Sequence, residues 1–185
     1  QACYIAMRSP DAAAHLPAEQ ATALLRPLLE DPAVRKTAHN AKFDIIALRA
    51  NGVRLQGLAG DSMVASYLVD ATRGTHKMDA LSEALLGHRC IPITDLIGTG
   101  KHQRRFDEAP LELAAPYAAE DADVALRLAQ ALEPQVDALG LGALYREVEV
   151  PLVQVLAELE FNGIRVDADE LERQRRALEV TIGTL

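Results

Sequence analysis

Apolar residues along the first two thirds of the chain alternate between short runs and helical stripes. Residues 2–7 form an apolar run that reads as a strand, with Ser9-Pro10-Asp11 as the turn after it. Leu24, Leu25, Leu28 and Leu29 recur at helical spacing and predict a helix over Ala18–Leu29 with these four on its apolar stripe. A short strand is expected over residues 34–39. Asn40 then has the character of an N-cap, and Ala41–Ala50 that of a helix closed by Gly52. Residues 53–58 predict a further strand. Asp61 can cap a helix reaching Leu68, and residues 77–86 form another that Gly87 ends. Residues 94–97 read as a short capped turn and residues 98–106 as a loop. From Pro110 or Leu111 a long helix runs to about Leu132. Strands alternating with helices predict an α/β domain.

From Leu139 the character changes. Gly140 and Gly142 precede a long helical pattern over residues 143–161. Asn162-Gly163 makes a turn, Ile164-Arg165-Val166 a short strand, and Asp167 opens a highly charged helix. A boundary is therefore placed near residue 138, giving units of residues 1–138 and 139–185. No internal repeat stands out.

Composition adds exclusions. With 185 residues, 49% apolar and 25% charged, the chain can bury a core, which rules out overall disorder. No apolar run approaches the ~18 residues of a membrane span. The formal charge of -8 argues against bulk attraction to nucleic acid, although a local site depends on where the charges sit. Cys3 and Cys90 lie in no C-x-x-C pattern and read as two buried thiols of a reducing cytoplasm. The chain starts with Gln1 rather than Met, which suggests a piece of something longer.

The chemistry concentrates in two places. The helix from about 111 to 132 carries a stripe of Leu113, Tyr117, Asp121, Val124, Leu128 and Leu132, so a carboxylate interrupts an apolar face. Burying a charge costs several kcal/mol unless it is paired or binds a metal. Tyr117 lies one turn before Asp121, where a phenol can orient a water or a ligand oxygen; a core aromatic with a satisfied hydroxyl is the plainer account. Glu120 and Asp123 point elsewhere, and Asp123 pairs with Arg127 on a solvated face. In the second place, Asp44 falls in the first turn of the helix after Asn40. There it either stabilises the helix dipole, which favours its ionised form, or lines a site on the rim of the sheet. Phe43 beside it can stack on a base or sugar or belong to the core.

Weaker signals follow. Gly98-Thr99-Gly100-Lys101 fails the G-x-x-x-x-G-K-[ST] spacing of a phosphate loop, since position 95 is Asp and His102 follows the lysine. The loop is nonetheless locally basic, with Lys101, His102, Arg104 and Arg105 and no acid before Asp107, which suits backbone-phosphate contact or simple solvation. His88 and Cys90 are too few for a zinc site.

Together, Asn40-Ala41-Lys42-Phe43-Asp44 and Tyr117-Ala118-Ala119-Glu120-Asp121 resemble the patterns N-x-K-[FY]-D and Y-x-x-x-D of the 3′-5′ proofreading exonuclease domain of the bacterial DNA polymerase I family. Asp61-Ser62-Met63, Tyr67-Leu68 and His76-Lys77-Met78-Asp79-Ala80-Leu81 resemble the stretch between them. Glu149-Val150-Pro151-Leu152 and Glu160-Phe161-Asn162-Gly163-Ile164-Arg165-Val166-Asp167 resemble the entry into the polymerase domain. The resemblance covers essentially the whole chain.

It implies a ribonuclease H-like mixed sheet flanked by helices, truncated at its N-terminus, then the helical start of a polymerase domain. It also implies hydrolysis of the 3′-terminal phosphodiester of single-stranded DNA ends with two divalent ions, Mg²⁺ or Mn²⁺. Carried over residue by residue, Asp121 would bind the ion that holds the attacking water, Asp44 would hold the second, and Tyr117 would orient the water. Asn40 and Phe43 would line the path of the terminal nucleotides, with Lys101, Arg104 and Arg105 on phosphates. The family setting implies a bacterial, cytoplasmic protein of replication and repair, monomeric within a longer polymerase chain.

One departure is serious. The family's first motif, Asp-x-Glu, should lie upstream of Tyr4-Ile5, and nothing matching it exists in residues 1–10. The expectation is that the chain begins after it, so that these residues alone bind the metal pair poorly. Two rival readings remain: a degenerate exonuclease module that only supports a polymerase, and a stand-alone 3′-5′ exoribonuclease with the same Tyr and Asp pattern. The polymerase-like tail disfavours the second. An aspartate on an apolar stripe disfavours the first.

Overall fold

The computed structural model describes residues 2–184. It is rich in helix, with one small sheet. Helix α1 (Ala18–Leu29) leads to β1 (Lys36–Ala38), α2 (Ala41–Ala50), β2 (Leu58–Asp61) and α3 (Ser62–Val69). Helix α4 (Met78–Leu81) widens into a π-turn over Ser82–Leu86, and α5 (Ile93–Ile97) follows. Helix α6 (Leu111–Ala138), α7 (Gly142–Leu144) with a second π-turn (Tyr145–Glu149), α8 (Val150–Asn162) and α9 (Ala168–Gly183) complete the order.

The sheet corrects the expectation of a larger mixed one. Among the described residues it has two strands, β1 and β2, parallel, with α2 in the connection between them. Residues 2–7 do not form a strand. An isolated strand leaves its ladder of N–H and C=O groups unpaired, and here the segment is held instead by the Leu16 amide donating to the Ala6 carbonyl at 2.9 Å. The strand expected over residues 53–58 forms only from Leu58, where it pairs with Lys36, although Val53 and Leu55 before it are buried. Residues 164–166 are also unpaired, with Ile164 and Val166 exposed.

The core gathers on α6. Val124, Leu128, Leu132 and Val136 pack with Ala65 of α3, Leu81 and Cys90. Val136 is fully buried, which carries the helix through Pro134 to Ala138, beyond the expected end near Leu132. Leu113 is exposed, and the buried stripe starts at Ala114. On α1 only Ala21 is buried, while Leu24 and Leu28 lie open to solvent, contrary to the expected stripe. Cys3 is exposed and Cys90 buried, both free thiols.

Tyr145 and Val150, which follow the expected boundary near 138, belong to the same core cluster as Leu128. The Tyr145 hydroxyl accepts from the Asp61 amide at 2.8 Å and sits 3.2 Å from the Asp61 carbonyl. Gly60 makes this approach possible, since a Cβ there would stand 3.2 Å from that hydroxyl and 3.3 Å from Thr37 Oγ1. Helix α8 lies against α2, tied by ion pairs of Lys42 with Glu160 and Arg49 with Glu158. Helix α9 buries none of its residues and is braced by Glu–Arg pairs one turn apart.

Candidate active site

Parallel strands that each run straight into a helix bring two helix N-termini side by side. Here one residue serves both. The Asp61 carboxylate, 1% exposed, accepts from the amides of Asn40 at 3.1 Å and Ala41 at 2.7 Å, opening α2. It also accepts from Met63 at 2.9 Å and Val64 at 3.3 Å, opening α3. The cap of α3 is the one expected. The cap of α2 is not: Asn40 makes no side-chain cap bond and sits in the left-handed region at φ 64°. That turn aims its own amide, and the next, at Asp61.

Asp44 lies in the first turn of α2, where a helix dipole alone would favour the ionised form. The surroundings work against this preference. Crowding by protein on one side, and then the buried charge of Asp61, push its carboxyl from 3.8 up to about 6, although its outer edge meets solvent. Phe43 beside it is 70% exposed, so it is not a core residue. With Asn40, Ile46, Ala47 and Ala50 it lines a groove along α2, bordered by the Lys42–Glu160 pair.

On α6, Tyr117 and Asp121 meet one turn apart. Burial pushes the Tyr117 phenol up to about 12, with the adjacent Asp121 charge adding to it. Burial likewise raises Asp121 from 3.8 to about 6; hydrogen bonding with Tyr117 opposes the rise, while Asp79 and Glu120 add to it. No cationic side chain contributes to the titration of Asp44 or Asp121. Each is a carboxylate without a positive partner, the kind of oxygen ligand that hard divalent cations take.

The basic loop reaches this neighbourhood through an aromatic contact. The Phe106 ring packs on Tyr117 with centroids 5.9 Å apart, and Tyr4 meets Phe106 edge-on at 6.4 Å. Lys101, Arg104 and Arg105 are exposed on the chain just before Phe106. The Arg104 amide donates to Ile97 at 2.8 Å, and the Arg105 side chain pairs with Asp107. Asp123 and Arg127 pair across 3.6 Å on the solvated face, as expected.

Thus Tyr117 and Asp121 stand together near the foot of the basic loop, while Asp44, Asn40 and Phe43 form a second group around Asp61. Among the described residues, neither aspartate belongs to a converging trio of metal-capable side chains. Sequence reasoning missed Asp61 as the shared cap. It also missed Glu120, which does not point away: its two oxygens meet His88 Nε2 at 2.8 Å and the Ile91 amide at 2.6 Å.

The raised carboxylates set a pH dependence. With each titrating near 6 when folded and near 3.8 when unfolded, the folded state holds more protons across that window. Their contribution therefore makes stability fall as pH rises from about 4 to 6, and it stays reduced above. Solvent screening discounts both part-exposed groups, Asp44 the more, and leaves a joint effect of about 3 kcal/mol. Thermal unfolding in chelator at pH 5 and pH 7.5 should show the larger loss for the wild type than for the D44N/D121N double variant; equal losses would contradict the assignment.

The chain's family follows from comparison with known proteins. It is 46% identical to DNA polymerase I of Pseudomonas aeruginosa over 157 residues, covering 83% of this chain and 17% of that one. It is 38% identical to DNA polymerase I of Chloroflexus aurantiacus over 184 residues, covering 99% and 19%. The chain thus spans less than a fifth of the length of these relatives. Among solved structures, the POL domain of Pol1 from M. smegmatis, in complex with DNA primer-template and dNTP, superimposes with a TM-score of 0.74 at 25% identity, covering 94% of this chain and 27% of that one. Brucella melitensis NrnC matches in fold with a TM-score of 0.60 at 20% identity, covering 75% and 64%. The family model for the 3′-5′ exonuclease of family A DNA polymerases matches residues 1–137, and the chain belongs to that family.

Proposed function

We propose that residues 1–138 act as the proofreading exonuclease of a DNA polymerase I and that residues 139–185 begin its polymerase domain. The module has a ribonuclease H-like fold and removes nucleotides from the single-stranded 3′ end of DNA during replication and repair, in the bacterial cytoplasm. The observation that carries the reading is the pair of uncompensated carboxylates, Asp44 and Asp121, with Tyr117 beside one of them.

Asp121 and Asp44 would hold the two divalent cations, Mg²⁺ or Mn²⁺. Bound there, such ions supply a nucleophile at neutral pH and stabilise charge on the leaving 3′-oxygen. The chain's own groups do the rest. The Tyr117 phenol, held protonated by burial, donates its one O–H to Asp121 and would orient the attacking water through its oxygen, which is left to accept. Phe43, open to solvent beside the groove of α2, offers a ring on which the terminal base stacks, and Asn40 borders the same path. Lys101, Arg104 and Arg105 supply local positive charge for the strand's phosphates on a chain that is negative overall.

These residues provide two of the carboxylates that a two-ion site needs, so the 185-residue chain is expected to bind the pair weakly and turn over slowly. The test is an assay on 5′-labelled single-stranded DNA with Mg²⁺ or Mn²⁺. The expected result is slow, cation-dependent shortening one nucleotide at a time from the 3′ end. Robust turnover would overturn the expectation of an incomplete site, and shortening from the 5′ end or cleavage within the strand would overturn the function. RNA cut in preference to DNA would favour an exoribonuclease.

A further inference from the structure

We propose that His88, Cys90 and Glu120 form a binding site for a single borderline-soft divalent cation, of which Zn²⁺ is the type. The three offer an imidazole nitrogen, a thiol sulfur and a carboxylate oxygen, all within 4.8 Å of one another. None of the three belongs to the candidate exonuclease site.

The site is built from two sides. Glu120 projects from the middle of α6, a rigid helix of 28 residues. His88 and Cys90 come from the extended segment that leaves the π-turn after Gly87, whose φ of 62° redirects the chain. This segment is pinned at both ends of the His-x-Cys pair. Ser82 Oγ donates to the His88 carbonyl at 2.9 Å, and the Ile91 amide donates to Glu120 at 2.6 Å. The second bond also orients the carboxylate, which is the support a ligating carboxylate normally receives.

Donor chemistry selects the ion. A thiolate and an imidazole favour Zn²⁺ and its neighbours over Mg²⁺ or Ca²⁺, which take oxygen ligands. Tetrahedral Zn²⁺ with ordinary bond lengths puts donors about 3.3–3.6 Å apart. His88 is partly exposed, with 36% of its side chain reaching solvent, and can turn by the small amount required. The same opening leaves the fourth position to water, the arrangement of three protein ligands plus solvent familiar from open zinc sites. The cation would take the place of the Cys90 thiol proton and would separate His88 Nε2 from Glu120, now 2.8 Å apart.

The test uses Co²⁺ as a spectroscopic stand-in, titrated into the reduced 185-residue chain, followed by Zn²⁺. The expected result is a thiolate-to-Co²⁺ charge-transfer band that saturates at about one equivalent and is bleached by Zn²⁺. Cys90→Ser should abolish the band. His88→Ala and Glu120→Gln should weaken binding at least about 10-fold. Cys3→Ser should keep it unchanged. No band in the folded wild type, a band that survives Cys90→Ser, or one lost with Cys3→Ser would overturn the site. If Cys90→Ser fails to fold by circular dichroism, His88→Ala decides, since that side chain is partly exposed and its removal opens no core cavity.

Discussion

Asp61→Ala should unfold the protein, or nearly so. The substitution strips the acceptor from four buried or part-buried amides at once, those of Asn40, Ala41, Met63 and Val64. Losing one N-cap costs about 1 kcal/mol, and each buried donor left unsatisfied costs about 1–3 kcal/mol. Even with partial rescue by water, the sum reaches about 4 kcal/mol, a large part of the stability of a small domain. Two comparators make the prediction specific. Tyr145→Phe removes the acceptor of the Asp61 amide and should cost about 1–2 kcal/mol. Asp123→Ala, on the solvated face of α6, should cost no more than about 0.5 kcal/mol. Urea unfolding of the three variants checks the order, and an Asp61→Ala protein as stable as Asp123→Ala would contradict the role given to Asp61.

Asp121→Asn should cut 3′-end removal by at least about 100-fold while leaving the fold as stable as before, or more so. The two effects separate because the carboxylate is desolvated and has no cationic partner. Replacing it with a neutral amide of the same shape relieves a cost of folding at neutral pH, but removes a hard anionic ligand that a divalent cation needs. A residue kept for structure would show the reverse, lower stability with activity in proportion. The assay is shortening of 5′-labelled single-stranded DNA by a polymerase chain that carries this module, read beside its thermal unfolding curve. Equal rates for wild type and Asp121→Asn would remove Asp121 from the site.

What the sequence conveys about this fold depends on the distance between the residues concerned. The α3 cap by Asp61, the closure at Gly87, the α9 cap by Asp167 and the Asp123–Arg127 pair are local, resting on residues two to six apart, and each was legible. The second duty of Asp61, at α2, links residues 20 and 21 apart and depends on how two strands align; no local pattern announces it. The same holds for Glu120 with His88, 32 residues apart. Periodicity marked α1 as amphipathic, yet Leu24 and Leu28 find nothing to pack on among the described residues. Spacing also placed Tyr117 and Asp121 on one surface of α6, as the structure has them. It said nothing of how far Asp44 lies from them, or of the crowding that raises all three groups.

The central claim is that Asp44 and Asp121 hold divalent cations, and Mn²⁺ tests it on the chain as it stands. Nuclear magnetic resonance detects weak binding, because a paramagnetic ion broadens nearby signals even at low occupancy. In chain carrying Cys90→Ser, so that the thiol site takes no part, Mn²⁺ should broaden amide signals around Asp44 at the start of α2 and around Tyr117 and Asp121 on α6. Both sets of broadening should vanish in the D44N/D121N variant. Broadening spread over the acidic surface at large, or unchanged by those two substitutions, would contradict the account.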